Sequence, residues 1–86
     1  MARYKLYTIK MQISRLFDQG QSFFAVAKVQ DWLRERGHNP DEYDILFHQV
    51  PAPPGSPYVM LVETELRRRD GQPVDSFLQE ELNRSG

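Results

Sequence analysis

Tyr43-Asp-Ile-Leu-Phe-His-Gln-Val50, then Pro51-Ala-Pro-Pro-Gly-Ser-Pro57, then Tyr58-Val-Met-Leu-Val-Glu-Thr-Glu-Leu66, is the stretch on which the fold turns. Two short apolar runs separated by a proline-rich connector read as a pair of adjacent strands. Side chains alternate between faces along a strand. The simplest register across the connector groups Tyr43, Ile45 and Phe47 with Val59 and Leu61, and Leu46, His48 and Val50 with Tyr58, Met60 and Val62. A strand pair with one wet face alternates cleanly between apolar and polar residues. This one is apolar in both sets, so both faces are expected to want cover.

Outward from this pair, Arg3 to Ile13 reads as a first strand. Tyr7, Ile9, Met11 and Ile13 fall on one face, and Thr8, Lys10 and Gln12 on the other. Ser14 to Gln21, with Asp18 and Gly20, reads as a connection that has room for a helical turn around Arg15 to Phe17. Ser22 to Arg36 carries the strongest helical pattern, a stripe of Ala25, Val26, Val29, Trp32 and Leu33 opposite Lys28, Asp31, Arg34 and Glu35. Ser22 suits its N-cap, Gly37 the left-handed residue after its end, and Pro40 the break beyond. Asp70-Gly71 marks a turn. Asp75 to Arg84 reads as a terminal helix with a capping box at Ser76 and Gln79 and a buried side of Phe77, Leu78 and Leu82.

The expected fold is therefore α+β: one compact domain spanning 1–86, a small β-α-β-β-α two-layer sandwich. Its three-stranded mixed sheet would carry two helices on one face. That element order resembles the small DinI-type regulators of recombinase filaments. The likeness is one of order, without matching residues, and Asp75, Glu80 and Glu81 are diluted by Arg84.

The chain has 86 residues, 27% of them charged, and a formal net charge of −1. Such a composition suits a soluble folded domain of modest core. It has no cysteine, which removes disulfides, thiol nucleophiles and cysteine-based zinc sites from consideration. No apolar run reaches the roughly 20 residues that span a bilayer, and Met1 to Tyr7 holds no signal-like apolar core. The expectation is a cytoplasmic protein that does not enter membranes.

Chemistry-bearing patterns are sparse. His38 and His48 are the titratable candidates, but no second histidine lies at ligand spacing, so neither a metal nor a cofactor is expected. Asp41, Glu42, Asp44, Glu80 and Glu81 read as solvated acids. No nucleophile elbow, phosphate loop or zinc-protease motif occurs, and no catalytic residue is assigned. The Pro-x-x-Pro spacings in Pro51 to Pro57 serve first to stiffen the connector.

Two functional classes remain. The first is a non-enzymatic protein-binding regulator or inhibitor. It would self-associate as a homodimer, or dock a protein partner, through an apolar sheet face of Leu46, His48, Val50, Tyr58, Met60 and Val62. The alternative is a single-stranded nucleic-acid binder using Tyr4 and Tyr58 for stacking and Arg67, Arg68 and Arg69 for phosphate. Arg3, Lys5 and Arg15 would extend that basic edge. The net charge argues against it, because phosphate neutralisation supplies most of such affinity.

Overall fold

A computed structural model describes residues 8–84. The element order is α1 (Ile9–Asp18), a 3-10 turn (Ser22–Phe24), α2 (Ala25–Glu35), a second 3-10 turn (Pro40–Glu42), β1 (Tyr43–Pro51), β2 (Met60–Arg68) and α3 (Ser76–Leu82). The class is α+β as expected, but among the described residues the sheet is a two-stranded antiparallel pair rather than a three-stranded mixed sheet. With that order, the likeness to the recombinase-filament regulators falls away.

The difference begins at the first expected strand. Arg3 to Tyr7 lie outside the described residues. From Ile9 onward the chain is helical, because Ile9, Ile13, Leu16 and Phe17 also recur at helical spacing and pack on the common core. Thr8 caps the helix, its hydroxyl accepting from the Met11 N–H at 3.3 Å. Gly20, at φ +71°, ends it. Its N–H donates to the Phe17 carbonyl at 3.2 Å, and the Gln21 N–H reaches back to the Leu16 carbonyl at 2.7 Å. Gly37, at φ +78°, closes α2 in the same way, with the His38 N–H on the Leu33 carbonyl at 3.0 Å. A side chain at either glycine would be strained.

Two caps differ from expectation. No side-chain cap precedes α2, where the 3-10 turn Ser22–Phe24 leads straight into the helix. Asp75, not Ser76, caps α3 by accepting from the Phe77 N–H at 2.9 Å. That leaves Gln79 free for another task.

The strand register also differs. Tyr43 pairs with Arg68, Ile45 with Leu66, Phe47 with Thr64 and Gln49 with Val62. The connector therefore spans eight residues, 52–59, and places odd positions of β1 opposite even positions of β2. A shift of one residue moves a strand's whole apolar set to the other face. Val62 and Met60 thus share a face with Tyr43, Ile45 and Phe47, while Leu61 joins Leu46, His48 and Val50.

One core forms on the first of these faces. Ile9 and Ile13 of α1, Ala25, Val29, Trp32 and Leu33 of α2, Tyr43, Val62 and Leu66 of the strands, and Leu78 and Leu82 of α3 make a single cluster. Full burial of each large member contributes about 1.5–3 kcal/mol. Helices α1 and α3 lie against β2, and α2 lies against α1. Phe77, expected inside, is 60% exposed.

The outer edge of β2, where a third strand would hydrogen-bond, is occupied by side chains. The Val62 N–H donates to Ser14 Oγ at 2.9 Å, the Thr64 N–H to Asn83 Oδ1 at 2.9 Å and the Leu66 N–H to Gln79 Oε1 at 2.9 Å. The Thr64 carbonyl accepts from both Gln79 Nε2 and Asn83 Nδ2. Ser14 donates its own proton to the Lys10 carbonyl at 2.8 Å. Two helices thus supply what a neighbouring strand would.

These contacts generate paired predictions. Asn83→Ala leaves the buried Thr64 N–H without its acceptor and is expected to cost about 1–3 kcal/mol in chemical denaturation. Among the described residues, the Thr64 hydroxyl is buried with no hydrogen-bond partner. Thr64→Val should therefore stabilise by about 1 kcal/mol, raising Tm by roughly 4–8 °C for a domain this size. A lower Tm for Thr64→Val would contradict this picture of the hydroxyl.

Candidate functional site: the open face and edge of the strand pair

With the helices on one face, the other carries Asp44, Leu46, His48 and Val50 of β1 beside Leu61, Glu63, Glu65 and Arg67 of β2. Its apolar members sit at Leu46, Val50 and Leu61. Leu46 and Val50 are half-buried, and Leu61 is only 2% exposed. The remainder is polar and organised by charge. His48 Nε2 lies 2.9 Å from Glu65 Oε1, and the Arg67 guanidinium donates to the other Glu65 oxygen. Asp44 accepts from Arg69 Nε at 3.1 Å. These are neighbours across and along the ladder, so the register creates them.

Glu65 is held below its ordinary carboxyl range, first by the Arg67 hydrogen bond and then by that of His48. Asp70 is likewise depressed, chiefly by the Gln72 N–H and then by the Arg68 guanidinium. On the helix side, Arg36 stacks 4.2 Å from the Trp32 ring centre and pairs with Glu81. That pairing lowers the Glu81 carboxyl and ties α3 to α2.

The expected partner-binding residues divide. Leu46, His48 and Val50 remain together on the open face. Val62 is 1% exposed, in the core, so no partner reaches it. Met60 lies at the end of β2 on the helix-side face, and Tyr58 is half-buried in the connector. The expected nucleic-acid residues also separate. Tyr4 lies outside the described residues. Arg67 and Arg69 point to the open face and Arg68 to the other. Each of the three is paired with a carboxylate: Glu65, Asp70 and Asp44 for Arg67, Arg68 and Arg69 respectively.

His38, in the loop between α2 and β1, has its Nδ1 3.4 Å from the Tyr43 hydroxyl. Among the described residues, no group of three histidines or acids is placed to hold a metal ion, and no helix is long and apolar enough to cross a membrane.

A further feature lies along the outer edge of β1. Since Val62, Thr64 and Leu66 direct their N–H groups to the helices, the alternating ladder joins Leu61, Glu63, Glu65 and Arg67 to Val50, His48, Leu46 and Asp44. Ile45, Phe47 and Gln49 therefore aim their backbone groups away from β2. Among the described residues, nothing bonds to them. Pro51 has no N–H to offer at the end of this edge, a position a strand tolerates. A groove runs beside it, lined by Val26 and Gln30 of α2 with Tyr43, Asp44, Ile45 and Leu46. Val26 is 41% and Phe23 73% exposed.

The sequence reading missed that helix side chains seal the β2 edge and so leave β1 as the outward one. The usable signal was Gln79 and Asn83, which stand one turn apart beside Leu78 and Leu82 on the inward side of α3. Polar groups on an inward face require partners, and here the partner is strand backbone.

Comparison with family models, with curated proteins and with solved structures found no match.

The Glu65 cluster is testable by titration. Its carboxyl should titrate below the ordinary glutamate value of 4.5, and Arg67→Ala should raise that midpoint more than His48→Ala. The folded value is the depressed one. The associated stability is thus complete above the unfolded glutamate range and is lost as pH falls through the folded midpoint. Carboxyl-detected NMR of the three proteins reads the order directly. A larger rise in His48→Ala would reverse the assignment.

Proposed function

We propose that this chain is a small protein-binding module, a regulator or inhibitor that acts by occupying a partner rather than by chemistry, and that β1 is the element it presents. The observation carrying this reading is the asymmetry of the strand pair. The outer N–H groups of β2 at Val62, Thr64 and Leu66 are all taken by helix side chains, whereas Ile45, Phe47 and Gln49 on β1 have no such cover among the described residues. An unpaired strand edge is a template for another strand. Main-chain hydrogen bonds then supply affinity, and alternate side chains supply specificity. Leu46, His48 and Val50 line one side of that template, and the groove at Val26 lines the other.

Nucleic-acid binding has less support. The three arginines that would contact phosphate are each engaged by a carboxylate, and the net charge is −1. A surface that attracts phosphate normally carries uncompensated positive charge.

Selection of a displayed peptide library on the folded chain tests the reading. Extended peptides with alternating apolar residues should be enriched. Their binding should be lost in Gln49→Pro, which removes an outward N–H while leaving the β1–β2 ladder intact. Peptide binding indifferent to Gln49→Pro would remove β1 from the account. Tight binding of mixed-sequence single-stranded RNA, with a steep salt slope, would favour the nucleic-acid class instead.

A further inference from the structure

We infer that the strand taken up by β1 is β1 of a second copy of this chain, arranged antiparallel about a two-fold axis through Leu46. This rests on the reading of β1 as the presenting element and names its partner.

The argument is one of register. Outward backbone groups on β1 belong to odd positions, so two copies can pair only with odd residues opposite odd ones. Two-fold symmetry then leaves a short series of registers, each centred on a single residue. Centring on Phe47 sets Asp44 against Val50 and Leu46 against His48 of the partner copy, opposing charged and ring-nitrogen groups to apolar ones. Centring on His48 stacks two imidazoles, which repel when protonated. Centring on Ile45 sets Asp44 against Leu46.

The Leu46-centred register matches character at its three central pairs, on both faces, and places Tyr43 against Gln49 at its ends. On the helix-side face Ile45 meets Phe47 of the second copy, an apolar–aromatic pair. On the open face Leu46 meets its own equivalent, and Asp44 meets His48, an acid against a base. Cross-strand pairs of these kinds are the favourable ones. The Asp44 side chain is 58% and that of His48 54% exposed. Glu65 lies on β2, whereas Arg69, just past its end, also lines the groove at Val26 and would have to swing aside for the second strand. The second strand would also lie across the groove at Val26, itself 41% exposed. The result is a four-stranded sheet, β2-β1-β1-β2, whose two outer edges are both sealed by helix side chains. Addition therefore stops at two copies.

The chain contains no cysteine, so single-cysteine variants give an unambiguous reading. The Leu46-centred register sets the two Leu46 Cβ atoms about 4.5–5.5 Å apart, close to disulfide geometry. Leu46→Cys should form a disulfide dimer at least about tenfold faster than His48→Cys or Val50→Cys, whose equivalents are displaced along the strands. Sedimentation of the unmodified chain from micromolar to millimolar concentration should show a reversible dimer. Gln49→Pro should weaken that dimer by at least about tenfold, equivalent to about 1.4 kcal/mol, with Tm and far-ultraviolet dichroism retained.

A chain that stays monomeric throughout overturns the inference, whether its edge then accepts another protein's peptide or a different segment of the same chain. So does a dimer in which His48→Cys or Val50→Cys cross-links as fast as Leu46→Cys. A monomer that still binds displayed peptides in a Gln49→Pro-sensitive way sinks the dimer but leaves the protein-binding module standing. A monomer that binds neither removes both.

Discussion

The sealing of the β2 edge by Ser14, Gln79 and Asn83 governs the rest of the molecule. A strand buried on one face must still satisfy the backbone on its edge, because an unpaired buried N–H or C=O costs as much as a lost hydrogen bond. A third strand is the usual solution. Here the carboxamides of Gln79 and Asn83, each offering both a donor and an acceptor, read the Thr64 and Leu66 backbone as a strand would. Ser14 serves Val62 while keeping its own proton on Lys10. The cost is specificity of position: α1 and α3 must lie against β2 at one height and one rotation.

That constraint explains why the two strands differ so much in surroundings. β2 is wrapped by α1 and α3, and four of its nine residues are buried. β1 has only Tyr43 fully buried, because α2 lies on α1 rather than across β1. Among the described residues, the helices cover one face and one edge of the strand pair, and no described helix lies on the opposite face or edge. Charge then organises the open face, where Arg67, Glu65 and His48 form a chain along the ladder and Asp44 holds Arg69. Exposed pairs of this kind contribute little stability, but they fix which side chains a neighbouring strand meets. The proposed binding role and the proposed pairing of two copies both follow from this one-sidedness rather than from any reactive group.

Much of the local structure was legible in the residues. The stripe Ala25, Val29, Trp32 and Leu33 marked α2, Gly37 its end, and the two apolar runs flanking the prolines both strands. Each of these signals is local and has no strong competitor. The segment Tyr7 to Ile13 was different, because Ile9 and Ile13 satisfy a period of two and a helical period equally. Only Leu16 and Phe17, further along the same stripe, separate the two, and Asp18 and Gly20 beside them read as a connection with at most one helical turn. The candidate site was read less well. Leu46, His48 and Val50 do share the open face, but Val62 and Met60 do not, since an eight-residue connector reverses the parity assumed for a simpler one.

The sequence by itself determined the α+β class, the strand pair, α2 and its glycine stop, and the absence of cysteine chemistry. It did so because propensity, capping and periodicity act over a few residues. Among the described residues, the tertiary structure alone decided the number of strands, the register and which edge the helices seal. Those depend on Ser14 meeting Val62 across 48 positions of chain, and Gln79 and Asn83 meeting Thr64 and Leu66 across 13 to 19. No local pattern encodes a hydrogen bond between a helix side chain and a distant strand's backbone.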